Sequence, residues 1–383
     1  MLPIKKIELL RISLPRKKAF ELSRGTFDAA NRLVVRVTLE SGICGYGECA
    51  TLEGRGARGA VGLYSEESEA SCFAVLTTQV GPALLGIDAL NMANVHRTMD
   101  AVTVMNPQAK AGVEMAVYDA VGKSLGVPAY VLLGGAYRKK IKLGKSVGVL
   151  TDQELIEGAQ QVIDLGFHII KLKGGRDVHT DVRRIELIRS KVSKDFPIRL
   201  DANAGYCSYD QVILPLTRAQ AAGLDELEQP LGRYDIQGMR RLARDLHTPL
   251  IADESVFYAS DVAAFIGAEA ADVINIKVQK AGGMLPASRI DAVASASNVG
   301  VMIGAIQETG IGSAASLHLA AACKMADYVS DCGTYLHYEH TLLSSSLAIE
   351  DGCALVPEEP GLGIVVDVQA LARYARGDWV AIE

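Results

Sequence analysis

The sequence predicts an α/β protein: a (β/α)8-type barrel with an N-terminal α+β capping domain that the C-terminal tail completes. Three observations predict it. The chain has 383 residues, which at ~100–200 residues per domain gives two domains or one barrel with an added module. Short apolar runs alternate with helical stretches throughout the middle of the chain. Most of those runs end in a charged residue. A doubly wound open sheet is the rival architecture on pattern alone.

The first module spans residues 1–130. Its strands are expected at Ile4 to Leu14, Arg32 to Leu39 and Ile43 to Glu48, the last two joined by the Glu40-Ser41-Gly42 turn. From Glu66 to Leu133 the apolar period becomes helical, with Ala111, Met115, Ala116, Ala120 and Val121 in one stripe before the Gly134-Gly135 break. Residues 131–350 form the barrel. Its strands are expected at Lys142 to Val149, Ile169 to Lys173, Ile198 to Asn203, Leu224 to Gln229, Leu250 to Glu254, Val273 to Lys277, Val301 to Ile306 and Tyr328 to Cys332. Amphipathic helices such as Asp152 to Leu165 and Asp181 to Val192 separate them. Residues 351–383 carry Pro357, Pro360 and the Gly361-Leu362-Gly363 turn, an irregular segment that returns to the first module.

Composition narrows the partners. Lysine plus arginine total 39 against 45 acidic residues, a formal charge of −6, so no nucleic-acid or anionic-membrane surface is expected. Hydrophobic residues at 49% and charged residues at 22% are ordinary for a globular chain. The seven cysteines form no C-x-x-C and no cluster beside histidines, a reduced, cytosolic pattern. No secretory leader is expected at Met-Leu-Pro-Ile-Lys-Lys. The charge-free stretch from Ala70 to Ile87 is too polar to span a bilayer. A soluble cytoplasmic protein is expected.

Charged residues at the ends of buried strands cost several kcal/mol unless they meet a metal or one another. In a barrel the C-terminal strand ends share one mouth. Asp201, Glu228 and Asp253 arrive there from three consecutive strands, one β/α unit apart, as hard oxygen ligands for Mg2+, with Mn2+ as the alternative. Lys171 and Lys173, two apart, share a face of their strand, and Lys277 comes from across the barrel. This set suits removal of a proton next to a carboxylate, with a cation to stabilise the enolate and a lysine base whose pKa a neighbouring cation lowers. Two bases on opposite faces permit one to take the proton and the other to return it.

K-L-K at 171–173, D-A-N at 201–203, E-Q-P at 228–230, A-D-E-S at 252–255 and N-I-K-V-Q-K-A-G-G at 275–283 together resemble the muconate lactonizing enzyme (muconate cycloisomerase) subgroup of the enolase superfamily, which is related to mandelate racemase and the dipeptide epimerases. The Gly-Tyr-Gly-Glu-Cys turn at 45–49 and Leu-Leu-Gly-Gly at 132–135 extend the likeness over the whole chain. Lysine bases with a divalent metal are the superfamily's established chemistry. The resemblance implies Asp201, Glu228 and Asp253 as metal ligands, with Asn203 and Glu254 supporting them and Glu254 the alternative third ligand. It implies Lys173 and Lys277 as acid/base pair, Lys171 as the residue tuning Lys173, and Glu308 as hydrogen-bond partner of the substrate carboxylate. Cap loops at 23–27 and 53–58 would then choose the substrate, which points to Arg24, Thr26, Phe27, Arg55 and Arg58, with Asp331 after the last strand.

Departures limit the specific label. Dipeptide epimerases usually carry Asp-x-Asp after strand eight to hold an ammonium; this chain has Asp331-Cys332-Gly333. Muconate enzymes tend to have Gly-Thr-Glu; this chain has Gly333-Thr334-Tyr335. The literal G-x-G-x-x-G at 54–59 lacks a βαβ context and reads as a lid with arginines for a distal substrate carboxylate. Lys280 reads as a surface residue at a helix start, and His168 as a packed or surface histidine. The expected function is a muconate cycloisomerase-like isomerase acting through an enolate on a small carboxylate. A racemase or epimerase of an N-acyl amino acid, dipeptide or proline derivative is the alternative, and a non-catalytic carboxylate-binding barrel the second. A homo-oligomer is expected.

Overall fold

The computed structural model describes residues 1–22, 25–51, 67–148 and 151–383, with the side chains of 20–22 and 25–27 left aside. In chain order the strands are β1 (Ile4–Leu22), β2 (Gly25–Leu39), β3 (Cys44–Ala50), β4 (Lys140–Lys142), β5 (Lys145–Val147), β6 (Ile170–Lys173) and β7 (Ile198–Asp201). They continue with β8 (Glu226–Glu228), β9 (Leu250–Ala252), β10 (Val273–Ile276), β11 (Gly300–Ile303), β12 (Ile349–Glu350), β13 (Cys353–Leu355) and β14 (Val380–Ile382).

The cap is an antiparallel sheet in the order β14-β1-β2-β3. The chain's last strand therefore closes the edge of its first, with Ile7 opposite Ile382. Alternation along β1 and β2 puts Ile7, Leu9, Leu33, Val35 and Val37 into one buried face against the helix Pro107–Leu125. That helix lies directly on β3. A Cβ at Gly45 would stand 2.0 Å from the Ala116 carbonyl oxygen and one at Gly47 2.1 Å from that of Gly112. The Gly-Tyr-Gly-Glu-Cys run is thus strand rather than turn, and its glycines serve close helix approach. β1 and β2 also run on beyond the expected Leu14 and Arg32 as one long hairpin, with a register shift between Pro15 and Phe20.

The barrel sheet has the strictly sequential order β11-β10-β9-β8-β7-β6-β5, all parallel. Sequential order with no switch point excludes the doubly wound rival. The eighth expected strand, Tyr328 to Cys332, is reduced to a few bonds around Ser330: Gly144 N to Ser330 O and Ser330 N to Lys142 O, both 2.9 Å, on one side, and Asp331 N to Ile303 O at 2.8 Å on the other. The Ser330 hydroxyl accepts from Ile303 N at 3.1 Å, substituting a side chain for a ladder carbonyl. The expected helix at Asp181 starts instead at Val178, because Asp177 caps it by accepting from Thr180 N.

Buried carboxylates from the cap hold the two modules together. Glu48 on β3 accepts from Thr309 N at 2.9 Å and Gly312 N at 3.2 Å, at the start of the barrel helix Gly310–Ala322. Glu114 accepts from Met284 N at 2.7 Å and Leu285 N at 2.8 Å, at the start of the helix Met284–Ala296. Each places a negative charge on the positive end of a helix dipole. Among the described residues no helix is long and apolar enough to cross a membrane.

Glu114→Ala leaves two buried N–H groups unpaired, so we expect a loss of roughly 2–4 kcal/mol of stability, read as a lower urea midpoint with the secondary-structure spectrum retained.

Candidate active site

Strand register brings the expected residues together. Lys173 lies opposite Asp201 across β6 and β7, and Asp201 opposite Glu228 across β7 and β8. Asp253 follows β9 by one residue. All three acids are fully buried. The Lys171 ammonium stands 2.9 Å from Asp201 Oδ2, 2.7 Å from Glu228 Oε2 and 2.6 Å from Asp331 Oδ2. Lys173 Nζ is 2.5 Å from Asp201 Oδ2, and Lys277 Nζ 2.5 Å from Asp253 Oδ2. Gly304 makes room for Lys277: a Cβ there would meet its Cε at 2.8 Å.

The electrostatics follow from burial set against partners. Burial opposes the Asp201 charge, but Lys171 and Lys173 outweigh it and hold the carboxyl well below the usual range. Asp253 is held down to about 2 in the same way by Lys277 and Lys280. Glu228, facing burial and the Asp201 charge, is pushed up. Lys171 and Lys277 are both held charged, because carboxylates outweigh their burial.

The supporting residues form a connected set. Asn203, held at φ 45° just past β7, donates from Nδ2 to Glu254 Oε1 at 3.1 Å. Asn275 donates to Glu228 Oε1 at 2.9 Å. The outward oxygens Glu228 Oε2 and Glu254 Oε2 accept no hydrogen bond among the described residues, the Lys171 ammonium lying beside the first as an ion pair. Among the described residues no three His, Cys, Asp or Glu side chains form a ready metal cage, because the lysine ammoniums stand between the acids. The donor set is nonetheless all carboxylate, charged and dry, which fits a hard divalent cation.

Glu308 is fully buried and accepts from Ile306 N at 2.8 Å, while its Oε1 has no partner among the described residues. Burial, reinforced by Glu48, raises its pKa to about 7.

One residue differs from expectation. Lys280 is not at the surface: its Nζ, 1% exposed as a residue, binds Asp253 Oδ1 at 2.9 Å and the Asn275 carbonyl at 3.0 Å. The short helix Val278–Ala281 turns it inward beside Lys277. Asp331, expected as a lid or specificity residue, lines the pocket with its carboxylate paired to Lys171. Arg199, which sequence reasoning passed over, is also buried. It pairs with Glu226 at 2.6 Å, lies 3.7 Å from Asp331 and forms a floor below the acids. Its signal was present: an arginine two residues before Asp201, on the same inward face of a buried strand. Tyr335, in the position of the muconate-type glutamate, is buried with its hydroxyl donating to Leu347 O at 3.2 Å. Arg24, Arg55, Arg58 and the G-x-G-x-x-G run lie outside the described residues, as do the side chains of Thr26 and Phe27.

Lysines on opposite sides of buried acids, at a barrel mouth under a cap, define an acid/base enzyme that works on a proton next to a carboxylate. The comparisons agree. Residues 154–370 match the enolase C-terminal domain-like family, and residues 6–134 the mandelate racemase/muconate lactonizing enzyme N-terminal domain. An N-succinyl-L-Arg/Lys racemase of Bacillus cereus is 30% identical over 95% of this chain and 96% of its own length. The crystal structure of a muconate lactonizing enzyme from Pseudomonas fluorescens with muconolactone superposes with a TM-score of 0.92 at 29% identity, covering 98% of this chain and 100% of that one. A dipeptide epimerase from Cytophaga hutchinsonii, complexed with Mg and D-Ala-L-Val, gives 0.91 at 28% identity over the whole of both chains.

The chain belongs to the mandelate racemase/muconate lactonizing enzyme family of the enolase superfamily. It is an enzyme of the isomerase type that family comprises, not a silent binding barrel.

Asp331→Asn takes one carboxylate from two buried cations. We expect it to cost about 2 kcal/mol or more in urea unfolding, whereas a residue serving only to hold substrate would leave the unfolding midpoint in place.

Proposed function

We propose that this enzyme moves the α-proton of an N-acylated amino acid, racemising or epimerising it, with Lys173 and Lys277 as its two acid/base groups. The observation that carries the reading is their placement. The two lysines come from β6 and from the residue after β10, on opposite sides of the carboxylate trio, and both line one pocket. One lysine takes the proton from one face of the substrate carbon and the other delivers a proton to the opposite face. Ammonium recognition of a dipeptide has little support, since Asp331 is already paired and Gly333 replaces the second acid. A muconate-type glutamate is replaced by buried Tyr335.

Asp201, Glu228 and Asp253 would hold a divalent cation, Mg2+ or in its place Mn2+, with Asn203 and Glu254 bracing them. When bound, the cation supplies Lewis-acid stabilisation of the charge that develops on the substrate carboxylate. Lys171, fixed by Asp201, Glu228 and Asp331, keeps a positive charge beside Lys173. Glu308, neutral below about pH 7, donates a hydrogen bond to the substrate carboxylate, and Arg24, Thr26, Phe27, Arg55 and Arg58 would contribute to the lid.

The test is exchange in D2O with added Mg2+ over a panel of N-acyl amino acids, dipeptides, proline derivatives and muconates. We expect metal-dependent α-deuterium incorporation with inversion, lowered at least 10³-fold in turnover by Lys173→Ala or Lys277→Ala, within the range that a positioned acid or base contributes. Exchange without inversion, or reaction of muconates alone, would replace this reading with cycloisomerisation. A second expectation concerns pH. As pH rises through about 7, Glu308 loses the proton it donates and comes to face the substrate as a like charge, so KM should rise. Glu308→Gln keeps a donor at every pH and should flatten that dependence.

A further inference from the structure

Arg32, on β2, is a cation only 2% exposed that reaches from the cap into the barrel. Its guanidinium forks. Nη1 donates to Asn31 O at 2.8 Å and to Thr51 O, both in the cap. Nη2 donates to Gln307 O at 2.6 Å and to the Tyr338 hydroxyl at 3.3 Å, both in the barrel. The Tyr338 hydroxyl donates in turn to Gln307 O. Among the described residues every hydrogen-bond acceptor of Arg32 is thus a neutral oxygen, and its Nε has no hydrogen-bond partner. Burial of a charge on neutral partners alone is strongly unfavourable, and an uncharged donor would make the same hydrogen bonds with less desolvation.

What the fork holds is a strained peptide. Gln307 has φ 59°, in the left-handed region that non-glycine residues rarely adopt, and such a conformation persists only where its surroundings over-determine it. Arg32 and Tyr338 grip its carbonyl, and Arg16 donates to its side-chain Oε1 at 2.7 Å. That carbonyl lies in the planar peptide joining Gln307 to Glu308, so its direction sets where the Glu308 side chain starts. On the other side of Glu308, Thr334 Oγ1 donates to its carbonyl oxygen at 3.1 Å. We propose that Arg32 is a positioning residue for Glu308: from the cap it fixes the peptide on which Glu308 stands, and it sets a positive charge near the buried carboxylates of Glu308 and Glu48. This rests on the reading of Glu308 as hydrogen-bond partner of the substrate carboxylate.

The two carboxylates are close neighbours. A Cβ on Gly312 would stand 2.8 Å from Glu308 Cγ and 3.1 Å from Glu48 Cδ. Buried acids this close resist carrying charge together. Burial raises Glu48, and Arg32 is the strongest influence acting against it, joined by the donors of Thr309 and Gly312. On Glu308, burial and the Glu48 charge push upward, while the Ile306 N–H and Arg32 push back. The other titratable groups beside Glu308 are Cys332 and Tyr338, both raised by burial and so neutral at physiological pH. Arg32 is therefore the cation that acts on the pair.

The test reads carboxyl protonation in the full-length protein by infrared difference spectroscopy against pH, the Glu308 band being the one lost in Glu308→Gln. In Arg32→Met the midpoint of that band should move upward by about one pH unit or more, the effect of removing a nearby opposite charge. Arg32→Lys keeps a charge and should leave the midpoint near its native value. With a substrate from the deuterium-exchange panel, KM at low pH should rise about fivefold or more in Arg32→Met, the effect of losing one hydrogen bond, with kcat changing less. Tyr338→Phe loosens the same carbonyl without removing the cation, and should raise KM while leaving the midpoint in place. A residue that only bolted cap to barrel would lower the urea midpoint and leave both the Glu308 band and KM of the folded protein unchanged. That result in Arg32→Met would overturn the proposal. Should Arg32→Met not fold, Arg32→Gln, which keeps a donor without the charge, decides by the same band. The two readings fail separately. A shifted Glu308 band with no α-deuterium exchange in any compound would sink the racemase reading and leave Arg32 in its role. Exchange in the native protein, with native band and native KM in Arg32→Met, would do the reverse.

Discussion

The structure depends on one constraint: acids and lysines are buried together, largely withdrawn from water. Asp201, Glu228 and Asp253 sit on adjacent strand ends, and each is fully buried. In a medium of low dielectric constant any one of them alone would be neutralised or would unfold the strand end. The ammoniums of Lys171, Lys173, Lys277 and Lys280 stand within 2.5–2.9 Å of these carboxylates. The same attraction that makes the charges tolerable also fixes the lysines proposed as acid/base groups in place. The proposed catalytic arrangement and the fold thus share one set of contacts.

That arrangement needs rigid support from below and a seal from above. Below, Arg199 ties β7 to Glu226 on β8 and to the Val329 carbonyl, so the level under the acids is itself cross-linked where the eighth strand is reduced to a few bonds around Ser330. Above, Glu48 joins β3 to the start of the helix that follows Glu308, only one residue away at Thr309. Gln279, between Lys277 and Lys280, bonds both Ala50 N and the Glu48 carbonyl. The cap is therefore bonded to the very segments that carry Glu308 and Lys277. A displacement of the cap is transmitted to them through these hydrogen bonds rather than through loose packing.

The barrel was legible because its strands are buried on both faces, so that each charged residue in them stood out. Asp201, Glu228, Asp253, Lys171, Lys173 and Lys277 could be placed at one mouth from period and parity alone. Lys280 could not, because a lysine three residues past a strand usually points to solvent, and only the short turn Val278–Ala281 brings it back onto Asp253. The eighth strand misled in the other direction. Its apolar run reads as a strand, but Ser330 takes a ladder position with its hydroxyl, which no periodicity reports.

The distribution of charge in the pocket then bears on how a substrate must lie. The acids occupy the floor, each already tied to a lysine, while Lys145, Arg16 and Lys17 gather on the side wall. Without a cation among them the acids would repel an anionic end, so a cation bound there would be what draws the reacting carboxylate to the floor. Lys173 and Lys277 line this pocket from strands that flank those carrying the acids, so a carboxylate held at the floor would set its neighbouring carbon between them. Orientation of this kind removes much of the entropy that a flexible acid must otherwise lose on reaching its reactive geometry.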